Sequence, residues 1–366
     1  MIRRLAVLGG LAALPAALAR LVIGRGTSRL LDAPRTTEAE AALGPELDAL
    51  GGEVVRLRSR DGLRLTGRWL PVDRGASFEA GDADVAAEAA RASADAWRPD
   101  PHEAILLLHG WSGSIAPDLV EYGPFLRRTA GVLGLDFRGH GESDDAPTTF
   151  GLHEVEDVAG ALDWLGERGI TSVALFGTSM GGITALASIV VLGDGSLPSA
   201  DLEPDPLAED RSAPRPRIVA AVGDSVPPQL TTAVANRMRW PFRGFLAAQM
   251  FEAAARRLGG DMRATEPIRI IGLTEPVPLL LIHGAADTTV PLAAGNRLAA
   301  AAGPNAQHFV IPVAGHAGGH ATAPAEYEAR VGAFLRRAFA DARGGVPIIE
   351  PPVSHNAPER GSQEGD

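Results

Sequence analysis

Short apolar runs alternate with helical patterns along most of this chain. "AILLLHG" at 104–110, "GVLGLD" at 131–136, "SVALFG" at 172–177, "RIVAAVGD" at 217–224 and "PLLLIHG" at 278–284 are continuously apolar and end in Gly, His or Asp. "HFVIPV" at 308–313 is a sixth such run. Unbroken runs of this length suit parallel strands buried on both faces. Near the start, "EVVRLRS" and "LRLTGRWL" flank Asp61-Gly62, which reads as a hairpin turn between antiparallel strands.

Helical periodicity fills the gaps. "EVEDVAGALDWLGERG" puts Val155, Val158, Leu162 and Leu165 on one face. "AEYEARVGAFLRRAF" does the same with Tyr327, Val331, Phe334 and Leu335, and Pro324 stands near its start. The alternation predicts an α/β fold with a mostly parallel sheet, an antiparallel hairpin at its start and helices on both faces. In such sheets the working residues collect at the carboxyl ends of the strands.

Three stretches fall outside this pattern. Residues 74–101 are acidic and Ala-rich, and residues 193–216 are rich in Pro and Asp without apolar periodicity. Both read as insertions, the second as a mobile loop. The tail from 344 has no core-forming pattern. At the other end, "MIRR" precedes an apolar run over 5–19, which Arg20 interrupts before "LVI" ends at 23. A membrane anchor over 5–23 is one reading; a signal segment cleaved after Ala17-Leu18-Ala19 is another. A soluble amphipathic helix is the third, and the lack of a polar face before Arg20 speaks against it. The expected organisation is an anchor or signal plus linker over 1–35, a catalytic domain over 36–343, and a tail.

Composition narrows the function. The formal net charge is −11, so the phosphate backbone of a nucleic acid would be repelled. With no cysteine in the chain, disulfides, thiolate metal sites and a cysteine nucleophile are excluded.

The chemistry gathers at the ends of the apolar runs. Gly177-Thr178-Ser179-Met180-Gly181 is G-x-S-x-G between a predicted strand and a predicted helix. A serine on so sharp a turn is strained and exposed, and its neighbours Gly177 and Gly181 must be small. The competing reading is a Gly-rich turn with an incidental serine. A phosphate loop does not fit, because the Lys of G-x-x-x-x-G-K is missing. A serine nucleophile needs a base with an acid behind it. Asp287 follows one strand in "HGAADTTVP", and His316 follows the next in "AGHAGGH".

With Ser, Asp and His in this order behind such an elbow, the sequence resembles the α/β-hydrolase superfamily over about 52–340. It is most similar to the branch of serine hydrolases and serine aminopeptidase-like esterases. The resemblance implies a Ser179–His316–Asp287 triad, no cofactor and no metal. It implies an oxyanion hole from the backbone N–H groups of Trp111, after "HG", and Met180, after the serine. Two such amides would each stabilise a developing oxyanion by about 3 kcal/mol. "LDFRGHGES" matches another superfamily hallmark, a turn that shapes the floor of the site.

Rivals remain at each role. Asp224 also ends a strand and competes with Asp287. His320 lies four residues after His316, a spacing that also resembles a metal pair, though in a Gly-rich loop without an acidic third ligand. His109, His140 and His283 lie in Gly-containing turns and read as structural. Residues 225–277, with Met238, Trp240, Phe242, Phe245, Met250 and Phe251, stand where the resembled family inserts its lid. They read either as an apolar cap over the substrate or as ordinary helix packing. The substrate class so implied is a carboxylic ester or other acyl compound.

Overall fold

The computed structural model describes residues 18–73, 97–111, 113–193 and 214–344. Most of the acidic insertion, the loop proper of 193–216, the tail after 344 and the first seventeen residues lie outside these.

Eight strands form one sheet: β1 (Glu53–Arg58), β2 (Arg64–Leu70), β3 (Glu103–Leu108), β4 (Gly131–Leu135), β5 (Ser172–Thr178), β6 (Arg217–Asp224), β7 (Leu279–Gly284) and β8 (Ala306–Ile311). Their order is β1-β2-β4-β3-β5-β6-β7-β8. β1 pairs antiparallel with β2, and β2 antiparallel with β4. Every later pairing is parallel.

The unbroken apolar runs follow from burial on both faces. Along β3, Ala104, Leu106 and Leu108 join one core, and Ile105 and Leu107 join the other. β5 repeats this, with Val173 and Leu175 on the first face and Ala174 and Phe176 on the second. Period-two alternation leaves no position for water, so both sets must be apolar. Helices Glu154–Glu167 and Met180–Leu192 cover the first face. Helices Ala116–Leu126 and Pro324–Gly344 cover the second.

Between β6 and β7 the chain leaves the sheet as helices Leu230–Arg237 and Arg243–Leu258, followed by short helical turns over 262–273. This is the expected lid insertion. Ala247, Met250, Phe251 and Ala254 are buried, as ordinary helix packing requires, while Trp240, Phe242 and Phe245 are exposed.

Residues 18–31 are helical, and the stretch expected to be a linker packs on the domain. Leu30 and Leu31 are buried in the core, and Thr27 donates to the carbonyl of Met250 at 3.3 Å. No helix among the described residues is long and apolar enough to cross a membrane. The proposed anchor over 5–23 falls mostly outside them.

Candidate active site

β5 ends in Thr178, and Ser179 turns the chain directly into the helix Met180–Leu192. Ser179 has φ 49° and ψ −105°, strained for a residue with a side chain. Small neighbours make the turn possible. A Cβ on Gly177 would strike the backbone of Gly181, and one on Gly181 would strike the carbonyl of Leu108 in β3. The amide of Ser179 donates to the carbonyl of Asp224 at 2.8 Å, fixing the elbow to the end of β6.

Residues 137 and 29 apart in sequence meet here. His316 Nε2 lies 3.0 Å from Ser179 Oγ, and His316 Nδ1 lies 2.7 Å from Asp287 Oδ2. An ionised carboxylate only accepts, so Nδ1 carries the proton and Nε2 faces the serine hydroxyl as acceptor. The other oxygen of Asp287 accepts from the amides of Thr289 and Val290, each at 2.8 Å. Burial alone would raise the pKa of Asp287, but the bonds from His316 and the two amides outweigh it and hold the carboxyl below its usual range. The side chain of Asp287 is sealed from solvent, and that of His316 is 18% exposed.

The loops that carry Asp287 and His316 are tied together. Ala285 donates to the carbonyl of Ile311, and Ala286 to that of Ala314, both at 2.9 Å. His283 Nε2 donates to the carbonyl of Val290 at 2.7 Å and closes the turn around Asp287. The histidine loop contains two strained residues, Val313 and Ala317, at φ 56° and 51°. The amide of Ala317 donates to Ser225 Oγ at 2.9 Å.

Asp224 is not part of this line. One of its carboxylate oxygens accepts from Ser225 Oγ and the other from the Tyr327 hydroxyl, both at 2.8 Å. It therefore braces the site from below, and Ser225 extends that brace to the histidine loop. No local sequence signal pointed to Ser225.

The remaining histidines separate cleanly. His109 Nε2 accepts from the amide of Phe137 at 3.1 Å, and its Nδ1 donates to the carbonyl of Gly110 at 2.6 Å. Burial drives its pKa down to about 4, and that of His140 likewise to about 4, so both are neutral supports at pH 7. His320 turns away from His316. It meets Glu121 at 3.3 Å and Glu328 at 3.2 Å, with the rings of Tyr122, Phe125 and Tyr327 around it. Burial would lower its pKa, but the two carboxylates prevail and raise it to about 9.

The expected Gly-rich turn packs against the loop after β3, the amide of Gly141 donating to the carbonyl of Gly113 at 3.1 Å. Asp136 accepts from the amides of Ile115 at 2.7 Å and Glu142 at 3.2 Å. Arg138 pairs with Asp157 and Asp61, each at 2.8 Å. Above it runs the loop after β3. A Cβ on Gly110 would stand 3.8 Å from the Cβ of Ser179, so Trp111 follows immediately beside the serine. The Trp111 ring stacks on Phe150 with centroids 6.3 Å apart, and its indole N–H donates to the carbonyl of Leu30 at 3.3 Å. The guanidinium of Arg237 lies 5.7 Å from that ring. Met180 opens its helix, where a backbone N–H has no acceptor within the helix. One further carboxyl was not foreseen. Asp118 accepts from Thr178 Oγ1 at 2.8 Å, and burial, with the charges of Glu121 and Asp224, raises its pKa to about 7 against the effect of Thr178.

Sheet order, elbow and strand-end loops define an α/β hydrolase. The model of the alpha/beta hydrolase family matches residues 105–330, and the chain belongs to that family. The uncharacterized protein YfhR of Salmonella typhi is 28% identical over 217 residues, covering 58% of this chain and 63% of that protein. The dihydrolipoyllysine-residue acetyltransferase component of the acetoin cleaving system of Pseudomonas putida is 28% identical over 231 residues, 58% of each chain. The chain thus spans less than two thirds of either relative's length. Among solved structures, the esterase Pf2001 of Pyrococcus furiosus superposes with a TM-score of 0.56 at 22% identity, covering 84% of this chain and 98% of that one.

Proposed function

We propose that this protein is a serine hydrolase that cleaves a carboxylic ester through an acyl-enzyme. The observation that carries the reading is the unbroken line from Asp287 through His316 to Ser179, at 2.7 and 3.0 Å. Those are working distances for a nucleophile, its base and the group that orients the base.

Ser179 Oγ attacks the ester carbonyl, and its proton passes to His316 Nε2. Asp287 keeps the proton on Nδ1 and stabilises the imidazolium. The carbonyl oxygen becomes an oxyanion, held by the N–H groups of Trp111 and Met180. When the tetrahedral adduct collapses, the C–O bond to the alcohol breaks, and His316 returns the proton to the departing oxygen. Water then attacks the acyl-enzyme by the same route in reverse, giving the acid and free Ser179. No step calls for a metal or cofactor.

An acyltransferase differs only in the last step, where another nucleophile replaces water. The acetyltransferase named among the relatives favours keeping that reading. A peptidase would use the same residues on an amide. A non-catalytic scaffold would share the fold, which alone does not dictate activity, but the aligned Ser179, His316 and Asp287 disfavour it. The apolar segment over 5–19 supports association with a membrane, as an anchor or as a signal for export.

A panel of p-nitrophenyl esters of increasing acyl length tests the proposal. Turnover by the parent chain, lost in Ser179→Ala, is expected. Absence of turnover on every ester, or equal rates in the variant, would contradict it.

A further inference from the structure

We propose that the lid and the N-terminal helix together form one docking face for a bilayer that carries anionic headgroups. The large apolar side chains exposed among the described residues are not spread evenly. Of eight such residues, Val54, Leu273 and Val313 are scattered along the chain, and the other five, Leu18, Leu21, Trp240, Phe242 and Phe245, come from two segments, with Phe242 exposed to 83%. Phe242 is also held at φ 58°, a left-handed conformation that a bulky residue adopts at a cost. Strain of this kind, spent on holding an aromatic ring in water, marks a surface built to meet something apolar.

These five residues share one end of the molecule. The helix over 18–31 lies against the helix Arg243–Leu258. A Cβ on Gly26 would strike the side chain of Met250, so the two helices approach closely there. Further along, Arg257 Nη1 reaches Ser28 at 3.4 Å and Asp32 at 3.7 Å. Position 26 meets 250 and positions 28–32 meet 257, so the helices run in the same direction. By that register Leu18 and Leu21 lie level with Phe242 and Phe245.

Charge selects the partner. The chain as a whole is strongly acidic, yet residues 18–31 and 230–251 contain six arginines and no carboxylate. Arg20, Arg25, Arg239 and Arg243 are exposed, and none pairs with a carboxylate among the described residues. An apolar aromatic patch rimmed by arginine matches a headgroup layer carrying negative charge, with Trp240 suited to the boundary. The sequence upstream of Leu18 is apolar back to Leu5 and joins the folded chain at this same face. The face also borders the site: Arg237, three residues before Trp240, lies against Trp111. A substrate leaving the bilayer here would arrive beside Ser179.

The absence of cysteine makes the test direct. Phe242→Cys and, as a control on the edge strand β1, Val54→Cys each take a single nitrobenzoxadiazole label in the full chain. The labelled proteins are mixed with phosphatidylcholine vesicles with or without phosphatidylglycerol, some containing doxyl-lipid. Sedimentation reports whether the chain is on the vesicle by any means; the label reports whether the lid touches it. At 242, quenching by doxyl-lipid and shielding from iodide are expected with anionic vesicles, and neither at 54. Arg239→Glu and Arg243→Glu should each raise the anionic lipid needed for this contact about fivefold. Cosedimentation with position 242 still open to iodide would overturn the docking face while leaving an N-terminal anchor intact. Shielding at 242 without vesicles would overturn it in favour of the chain's own apolar segment or a second copy. Failure to sediment would overturn both face and anchor.

Discussion

The backbone of Ser179 is held by the carbonyl of Asp224, at 2.8 Å, while the carboxylate of Asp224 points away from His316 toward Ser225 and Tyr327. Two acids end neighbouring strands, and they do different work. In the proposed mechanism Asp287 orients the base, while Asp224 braces the elbow and, through Ser225, the histidine loop. Asp287→Asn should lower turnover by about ten-thousandfold, because the amide would favour the wrong tautomer of the imidazole. In Asp224→Asn the amide can still accept from Ser225 and donate to Tyr327, so turnover should stay within about tenfold of the parent by the ordinary scale of a neutral hydrogen-bond exchange. Steady-state kinetics on the two variants decide between the acids; a crippled Asp224→Asn beside an active Asp287→Asn would reverse the assignment.

Gly181 is the residue on which the elbow turns most tightly. In Gly181→Ala the new methyl would meet a backbone carbonyl, that of Leu108, which cannot rotate aside. A loss of roughly 1–3 kcal/mol in unfolding free energy is expected from such overpacking, together with loss of ester turnover as Ser179 is displaced. Urea denaturation and a rate assay on the same preparation check it. An unchanged midpoint and rate would mean that the elbow is looser than its contacts imply.

His320 sets a pH limit on stability that is separate from catalysis. Its pKa in the fold is raised from 6.5 to about 9 by Glu121 and Glu328, despite burial. The charged form therefore stabilises the fold. That contribution is complete below about pH 6.5 and is lost as pH rises through about 9. It amounts to roughly 1–3 kcal/mol, the lower figure allowing for solvent around this partly exposed pair. Asp118, whose pKa is raised from 3.8 to about 7, contributes stability that is lost as pH rises from about 3.8 to about 7, and so does not overlap the upper half of the window. Unfolding free energy should decline between pH 7 and 9.5 in the parent chain and stay level in His320→Gln. Parallel declines in the two proteins would assign the effect to other groups.

Much of this was legible from sequence, and the reasons are local. Strands buried on both faces are written as apolar runs, so β3 to β7 could be placed nearly to the residue. Ser179, Asp287 and His316 each follow such a run, and chain order arranged them. What sequence could not decide was where side chains turn. Asp224 and Asp287 look alike until Tyr327, 103 residues away, is seen to hold the first. The helix Ala116–Leu126 was hidden by Gly123-Pro124, a pair that usually breaks helices; burial of Leu119, Tyr122, Phe125 and Leu126 overrides it. The packing of Leu30 and Leu31 was masked by the anchor-like stretch before them, because apolar residues bound for a bilayer and for a core read the same.

The central claim is that Ser179 is a nucleophile activated by His316. The full chain is treated with a fluorophosphonate, digested, and read by mass spectrometry. The phosphonyl adduct should appear on Ser179 in the parent and fall at least a hundredfold in rate in His316→Ala, the scale of losing a general base. Both proteins should show the same melting temperature. An adduct on another serine, or equal labelling of Ser179 in the folded His316→Ala variant, would contradict the account.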